Sequence, residues 1–340
     1  MIKAGRPDVS DDIITKWCHR LGQLKGCHLY SVASPEKDQD DWLKQRRAGI
    51  GGSEVAAIMG ESKWQSPRQV WMNKIGMFDD KPPQQSEAAR WGNLLETTVA
   101  KEWSQRNNVP YIHIPVILVD DEKPWLMANI DGFTLADDEL TITGILEIKT
   151  TSAYNDDIWS MGPLPFHYLC QTNWYCGITR VPQYTIVCLV GGQKLYHYTM
   201  PADTALFAKE VEAADNFWLE NVQKGIEPKA TEQDLEAIKE EPTDETLPAL
   251  VITDDSVDKL IEAYINLRQQ ESKIKKVKND LYAQLMLAMG QNVDAVTTEH
   301  TMHMKQSVRR NCLWDVLKQK YPAAYEECVF TTQSKSLDIK

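Results

Sequence analysis

The stretch GILEIKT, residues 144–150, carries an acid, Glu147, and an amine, Lys149, in an otherwise apolar segment. Side chains two residues apart on a β-strand point to the same face of the sheet, so the pattern places this acid and this amine side by side. A second strand-like segment contains ANIDG at 128–132 and carries Asp131. If the two strands are neighbours, Asp131 lies next to Glu147.

Two carboxylates and a lysine on one sheet surface suit a Mg²⁺ site. Hard cations take oxygen ligands, and Mg²⁺ binds through one or two carboxylates together with phosphate groups. The lysine would orient or deprotonate a water molecule. A buried structural ion pair between Glu147 and Lys149 is the alternative, and these residues alone leave both interpretations open.

Composition indicates an ordinary globular protein. At 340 residues, with 42% hydrophobic and 25% charged residues, the chain fits one large domain or two modest ones. No apolar stretch approaches the ~20 residues of a membrane span, and the N-terminus lacks the apolar region of a secretory signal. The seven cysteines show no CxxC pattern. We therefore expect reduced thiols, a cytoplasmic location and no membrane contact.

The formal net charge of −12 argues only weakly against a nucleic-acid partner. Much of the negative charge is concentrated in one segment, residues 232–258. Phosphate binding depends on local basic patches and not on the sum over the whole chain.

The patterns divide the chain into four parts. Residues 1–41 are expected to form a helical lead-in and residues 42–225 the core. Residues 226–256 are acidic and contain prolines, which is typical of a linker. A helical C-terminal subdomain is expected over 257–340, built on a long amphipathic helix at 257–289.

Within the core, apolar runs with the spacing of strands alternate with helical patterns. Strand-like runs lie at 111–119, 125–135, 144–150, 184–190 and 194–200, and helical patterns at 87–106, 164–178 and 203–224. Two shorter helices are expected earlier, one capped by Ser53 and one beginning at Ser66-Pro67. This order predicts an α/β (α+β) protein with a mixed central sheet flanked by helices.

A basic cluster precedes a glycine-rich turn. Lys44, Arg46 and Arg47 are followed by GIGGS at 49–53, which ends in Ser53. Arginine binds phosphate through a planar fork of donors, and glycines let backbone N–H groups approach an anion at a helix N-terminus. Taken alone, the segment favours a solvated basic turn with a routine helix cap. A phosphate pocket becomes the preferred interpretation only together with the other sequence blocks given below.

The 11 tryptophans suggest core packing more than base stacking. Five stand at helical or strand-like positions suited to a core: Trp71, Trp91, Trp103, Trp174 and Trp218. Trp64 lies in an expected loop near the basic cluster and is the better candidate to contact DNA, although a core position is equally open.

Five sequence blocks occur together in one order. They are WLKQRRAGIGGSEVAAIMG (42–60), RWGNLLE (90–96), ANIDG (128–132), GILEIKT (144–150) and HYLCQTNWYCG (167–177). In this order they resemble the lambda exonuclease or YqaJ viral recombinase family of the PD-(D/E)XK nuclease superfamily. The resemblance implies a PD-(D/E)XK core and leaves the role of the C-terminal subdomain open.

The resemblance implies roles for the residues of the acidic blocks. Asp131 matches the aspartate that bridges the metals, and Glu147 matches the second metal ligand. The backbone carbonyl of Ile148 is implied as a further metal ligand. Glu96 matches a helical acid near the metals, and Lys149 matches the lysine that handles the attacking water.

Further roles follow for the flanking blocks. Gln171 matches a glutamine that supports the catalytic site, and Tyr175 stands one helical turn after it on the DNA-binding side. Arg46 matches the arginine that grips a terminal 5′-phosphate. Ser53 is implied in the same pocket, and Arg47 belongs to the same basic cluster.

Two positions depart from the family pattern. The proline that names the superfamily is absent, because Ile130 precedes Asp131. Proline supplies no metal ligand there, so activity is still expected. Asn173 stands where relatives often have a second glutamine, which places only that secondary role in doubt.

The implied function is a Mg²⁺-dependent 5′→3′ exonuclease that acts on linear double-stranded DNA and leaves 3′ single-stranded tails. Two metal ions are implied, with Mn²⁺ as the alternative, and they would lower the pKa of Lys149. The resemblance also implies a homotrimeric ring and a single-strand annealing protein as partner. Alternatives are a PD-(D/E)XK endonuclease or repair nickase, and a non-catalytic DNA-binding module.

Overall fold

The computed structural model describes residues 21, 24–31, 39–77, 86–114, 116–244, 246–309 and 311–330. The chain forms two compact units, Met1–Glu236 and Ala237–Lys340. Most of the helical lead-in expected over 1–41 lies outside the described residues. Its described part includes a strand, β1 (Cys27–Ser31), which pairs with a later strand of the same unit.

The helices of the first unit are, in chain order, α1 (Gln39–Arg47), α2 (Gly52–Ile58), α3 (Pro67–Lys74), α4 (Glu87–Asn107), α5 (Asp156–Ser160), α6 (Phe166–Thr179) and α7 (Thr204–Asn216). A π-helical segment (Phe217–Gln223) continues α7. Helix α8 (Leu235–Glu240) crosses the boundary between the units.

The strands are β2 (Tyr111–Ile112), β3 (Ile117–Asp120), β4 (Met127–Ala128), β5 (Gly132–Leu135), β6 (Ile142–Thr151), β7 (Gln183–Val190) and β8 (Lys194–Pro201). The main sheet has the order β2-β5-β6-β7-β8, and a second sheet has the order β1-β3-β4. Strands β6 and β7 are parallel and the other neighbours in the main sheet are antiparallel. The predicted mixed sheet flanked by helices is therefore confirmed.

Strand β6 lies at the centre of this sheet, and its two faces pack against different helices. Leu146 and Ile148 belong to a core cluster with Val99 and Trp103 of α4. Ile145, on the other face, belongs to the larger cluster that contains the buried side of α6. Because side chains alternate along a strand, Glu147 and Lys149 share the face of Ile145.

The short helices near the basic cluster show one success and one error of the sequence patterns. Ser66 caps α3 as predicted, because its side chain accepts the backbone N–H of Gln69 and Pro67 opens the helix. The prediction that Ser53 caps α2 is wrong. Gly51 is the N-cap residue, and the side chain of Glu54 accepts its backbone N–H.

The tryptophans divide between the core and the surface. Trp71, Trp103 and Trp174 are buried, and Trp218 packs against the main core. Trp91 is 55% exposed, so its predicted core position is wrong. Helical spacing alone did not show that this first turn of α4 lies outside the packed region.

The segment expected as an acidic linker begins within the first unit. Asp234 is fully buried, and it accepts a hydrogen bond from the hydroxyl of Ser66. Arg68 also forms an ion pair with Glu227. The first part of the 226–256 segment is therefore packed, because buried hydrogen bonds hold it to the start of α3.

The second unit is mainly helical, as expected. It contains α9 (Asp255–Met289), the hairpin of β9 (Asp294–Val296) and β10 (Thr301–His303), α10 (Trp314–Lys320) and α11 (Pro322–Cys328). Among the described residues of this unit, only Met289 is buried. No helix within the described ranges has the length and apolarity needed to cross a bilayer.

Candidate metal centre and phosphate pocket

Pairing between β5 and β6 brings the two acids of the sequence motif together. Gly132 of β5 lies opposite Leu146 of β6, which places Asp131 beside the next part of β6. The Asp131 Oδ2 atom accepts the backbone N–H of Ile148 at 2.9 Å. The expectation that neighbouring strands bring Asp131 next to Glu147 is therefore confirmed.

Three side chains form a closed hydrogen-bond triangle on one face of β6. Lys149 Nζ donates to Glu147 Oε1 at 2.5 Å and to Gln171 Oε1 at 3.1 Å. Gln171 Nε2 donates to the same Glu147 oxygen at 2.6 Å. Gln171 comes from α6, which packs over this face, so its amide fixes the relative positions of the acid and the amine.

Glu147 is buried, with 1% of its surface exposed. Among the described residues, Glu147 Oε2 has no hydrogen-bond partner. Burial, and then the neighbouring Asp131 carboxylate, raises the pKa of Glu147 to about 7. A buried acceptor without a partner costs roughly 1–3 kcal/mol. A divalent cation bound by Glu147 and Asp131 would satisfy this oxygen and offset the repulsion, so the donor set fits Mg²⁺.

Lys149 is held as a cation. Burial alone would lower the pKa of Lys149, but the carboxylates of Glu147 and Asp131 outweigh it and the pKa is raised. The amine also lies 5.2 Å from the centre of the Tyr168 ring, within the range of a cation–π contact. The expected lowering of the Lys149 pKa assumed the charge of bound metal ions, and the carboxylates by themselves act in the opposite direction.

Glu96 is the remaining acid of the expected metal site. Its helix, α4, packs on the opposite face of β6, where a Cβ on Gly92 would lie 3.3 Å from Thr150 Oγ1. Glu96 lies near Tyr111, since burial and then the charge of Glu96 raise the pKa of that tyrosine. No set of three His, Cys, Asp or Glu side chains arranged for metal binding occurs among the described residues. The role of Glu96 remains a prediction.

A cationic cavity of about 210 Å³ lies at the N-terminal side of α2. Arg46 Nη2 donates to Ser53 Oγ at 2.9 Å, and the Arg46 guanidinium lies over the Trp42 ring at 4.8 Å. The residues lining the cavity include Arg46, Arg47, Ser53, Glu54, Gln65 and Lys74. Three cations and one carboxylate leave a positive excess, as a phosphate group requires. Arg46, Arg47 and Ser53 thus line one cavity, and their role in binding a 5′-phosphate stays a prediction.

The buried ion pair below this cavity was missed in the sequence. Lys74 Nζ donates to Glu54 Oε2 and to the backbone carbonyl of Arg46, both at 2.8 Å. Burial raises the pKa of Glu54, but Lys74 and Arg46 outweigh it and the pKa is lowered. The spacing of Gly51 and Glu54, typical of a capping carboxylate, was the available signal. No local pattern indicated Lys74, because its partner lies on another helix.

Tyr175 contacts both the acidic group, defined here as Asp131, Glu147, Lys149 and Gln171, and the helix that carries Ser53. Its hydroxyl accepts a hydrogen bond from Gln171 Nε2 at 3.2 Å, and the residue is 3% exposed. Its ring packs so closely on Gly52 that a Cβ there would lie 2.5 Å from a ring carbon. Gly52 begins α2, the helix that carries Ser53. The space beside the Tyr175 ring therefore admits only glycine at position 52 without a shift of the ring or of α2.

Two further side chains near Lys149 were not singled out from the sequence. The ring of His167 lies 4.1 Å from the ring of Tyr168, measured between centroids. Burial and then the charges of Lys149 and Lys63 lower the pKa of His167. Both aromatic residues lie in the first turn of α6, the helix that carries Gln171, and the Tyr168 ring contacts the Lys149 amine.

An aspartate and a glutamate–lysine pair on neighbouring strands of a mixed sheet define the PD-(D/E)XK class of site. The family model of the YqaJ-like viral recombinase domain matches residues 41–182, which include every candidate site residue named above. The uncharacterized protein YqaJ of Bacillus subtilis (strain 168) is 30% identical over 313 residues, covering 90% of this chain and 95% of that protein. The chain belongs to the YqaJ-like viral recombinase family.

Solved structures similar to the chain include the alkaline exonuclease LHK-Exo of Laribacter hongkongensis. It is 17% identical and covers 53% of this chain and 91% of its own, with a TM-score of 0.42. The complex of LHK-Exo with dAMP gives 18% identity, coverages of 58% and 98%, and a TM-score of 0.45. A phage-related exonuclease from Haemophilus somnus 129PT gives 13%, coverages of 52% and 96%, and a TM-score of 0.38.

Proposed function

We propose that this protein is a metal-dependent 5′→3′ exonuclease that degrades one strand of linear double-stranded DNA from a phosphorylated 5′ end. The observation that supports the proposal most strongly is the pairing of two sites. One is a buried acidic group with a carboxylate oxygen that has no partner among the described residues, and the other is a cationic cavity suited to phosphate. Tyr175 contacts Gln171 of the first site and packs on Gly52, which precedes Ser53 of the second.

In this proposal the acidic group is where the phosphodiester is hydrolysed. Asp131, Glu147 and the carbonyl of Ile148 would hold Mg²⁺, with Mn²⁺ as the alternative, and Glu96 is proposed for a second ion. The ions would activate water and stabilise the leaving 3′-oxygen of an in-line displacement. Family membership and the unpartnered Glu147 oxygen support this assignment.

Lys149 handles the proton in this proposal. Its amine donates to Glu147 and Gln171, and these bonds hold it at one place on the sheet surface. As an ammonium it orients the attacking water and interacts with the negative charge that develops on the phosphate. When its proton moves to the leaving group or to solvent, the Gln171 carbonyl keeps the amine in position.

The phosphate cavity sets the polarity of digestion. Arg46 and Ser53 bind the 5′-phosphate, and Arg47 and Lys74 add positive charge to the same cavity. A terminal phosphate is a dianion and satisfies the positive excess better than an internal diester does. The next diester along that strand then reaches the acidic group, so nucleotides leave from the 5′ end.

The 3′ single strand left by this reaction is a substrate for annealing recombination. We therefore include a single-strand annealing protein as partner and a homotrimeric ring around the duplex as the assembly, both supported by family membership alone. The cytoplasm is the proposed location.

The test is digestion of linear duplexes labelled at either the 5′ or the 3′ end, with and without Mg²⁺. The proposal expects early release of the 5′ label as mononucleotide with Mg²⁺ and no release without it, while the 3′ label stays on the DNA at these early times in both conditions. Covalently closed circular DNA should remain intact. Cleavage of the circle would favour an endonuclease or nickase, and failure to release any nucleotide would leave a DNA-binding module.

A further inference from the structure

The loop between α2 and α3, residues 59–66, presents a large aromatic side chain to solvent. Trp64 is 79% exposed. Its backbone is nevertheless fixed, because the hydroxyl of Ser62 accepts the N–H groups of Trp64 at 3.1 Å and of Gln65 at 3.3 Å. Burying the Trp64 ring against a flat ligand would remove a large apolar area from water.

The far side of the loop is tied to the buried segment around Asp234. Gln233 Nε2 donates to the carbonyl of Ser62 at 3.1 Å, and the hydroxyl of Ser66 donates to Asp234 at 2.5 Å. Asp234 in turn accepts the backbone N–H of Thr231 at 2.8 Å. A ligand that stacks on Trp64 therefore meets a loop whose backbone needs little further ordering.

The two chain neighbours of Trp64, Gln65 and Lys63, lie near the phosphate cavity and near the start of α6, respectively. Gln65 lines the phosphate cavity together with Arg46 and Ser53. Lys63, on the other side, lies near enough to His167 to lower its pKa, after burial and Lys149, which is the amine of the acidic group. Gln65 therefore places the loop at the cavity, and the effect of Lys63 on His167 places its other side near the start of α6.

We propose that Trp64 is the stacking platform for the nucleobase of the 5′-terminal nucleotide, with Lys63 contacting the backbone of the same strand. The inference rests on the proposed function and specifies how that site holds its substrate. A strand that spans the cavity and the acidic group passes this loop, and its terminal base has no pairing partner once it leaves the duplex. Aromatic stacking accepts every base, so the platform adds affinity without sequence preference.

The experiment compares two 5′-phosphorylated duplexes, one with a normal 5′-terminal nucleotide and one with an abasic residue there. Binding is measured by fluorescence anisotropy in a Lys149→Ala background, so that no cleavage is needed. The background protein should bind the normal end roughly 5- to 150-fold more tightly than the abasic end. Adding Trp64→Ala should bring this ratio close to one.

Two matched variants separate stacking from other effects. Trp64→Phe should keep most of the ratio and Trp64→Leu should not, because only phenylalanine retains an aromatic face. Trp314→Ala, at an exposed tryptophan of the second unit, should leave the ratio unchanged.

A ratio unaffected by Trp64→Ala overturns the proposal. So does a change in oligomeric state on sedimentation with the ratio intact, since Trp64 would then contact protein and not a base. The stacking proposal is tested by binding and the exonuclease proposal by Mg²⁺-dependent digestion, so either proposal can fail without the other.

Discussion

Two buried glutamate–lysine pairs lie within the first unit, and their surroundings differ. Glu54 and Lys74 are 2.8 Å apart, with side chains 7% and 1% exposed. Glu147 and Lys149 are 2.5 Å apart, with side chains 1% and 20% exposed. The pKa of Glu54 is lowered, because nearby cations outweigh burial. The pKa of Glu147 is raised to about 7 by burial and by Asp131.

The difference shows that the residue pair itself does not determine the role. Glu54 faces the positive charges of Lys74 and Arg46 and accepts a backbone hydrogen bond from Gly51. The second pair has two carboxylates for one amine, and one carboxylate oxygen lacks a partner among the described residues. The first pair is balanced as it stands, whereas the second needs additional positive charge. That need fits the proposed metal site, and the balance of the first pair fits a structural ion pair.

The largest expected effect is the loss of turnover in Lys149→Ala. Removing a group that handles a proton in the transition state should lower kcat by roughly 10²- to 10⁴-fold. DNA affinity should change only a few-fold, because Lys149 is one of several cations near the substrate. Single-turnover digestion and equilibrium binding measure the two quantities. Equal losses in both would contradict the assigned role.

Lys74→Met should instead affect stability. The substitution leaves Glu54 buried without its cation, and breaking a buried pair in this way costs about 3–5 kcal/mol of unfolding free energy. Urea denaturation at pH 7.5 would measure it. Lys149→Met is the matched variant at the other pair, and at pH 6 it should cost less because Glu147 can take up a proton. If Lys149→Met at pH 6 lost more unfolding free energy than Lys74→Met, the contrast drawn between the two pairs would be wrong.

Arg46→Ala should act on the choice of DNA end. Loss of a charge-assisted hydrogen bond should slow digestion of 5′-phosphorylated ends by roughly 10- to 150-fold, with a smaller effect on 5′-hydroxyl ends. Arg68→Ala provides the control, since Arg68 pairs with Glu227 and does not line the cavity. The ratio of the two digestion rates should be unchanged in the control. An unchanged ratio in Arg46→Ala would exclude the 5′-phosphate pocket.

The sequence predicted the parts of the site that depend on strands. The alternation of side chains placed Glu147 and Lys149 on one face, and the pairing of two strands placed Asp131 beside them. These relations follow from the two-residue period of a strand and from neighbouring strands being consecutive in the chain. The cluster of Arg46 and Ser53 could also be predicted from the sequence, because the two residues are only seven positions apart in the chain.

The remainder depended on how helices pack, which the sequence did not specify. Helix α4 has the expected bounds to within a residue or two, but its packing leaves Trp91 exposed and places Glu96 near Tyr111. Lys74 meets Glu54 only because α3 packs beside α2. Long-range contacts of this kind are set by the shapes of both partners, and no local period encodes them.

The smallest expected effect is the pH dependence of metal binding. The ordinary pKa of Glu147 is 4.5, and in the folded protein it is about 7. Between these values the folded protein holds a proton that the unfolded chain has lost, so without metal the stability falls as pH rises from 4.5 through 7. Mg²⁺ requires the ionised carboxylate and displaces this proton. Its affinity should therefore rise by up to about tenfold per pH unit below pH 7 and level off above it.

The measurement is the increase in Tm caused by a fixed Mg²⁺ concentration at pH 6 and at pH 8. The increase should be larger at pH 8, and Glu147→Gln should abolish most of the difference because an amide does not titrate. Glu54→Gln, at the balanced pair, should weaken folding at both pH values and leave the difference in place. If the pH dependence persists in Glu147→Gln and disappears in Glu54→Gln, then the cation binds at the phosphate cavity, and the roles assigned to the two pairs must be exchanged.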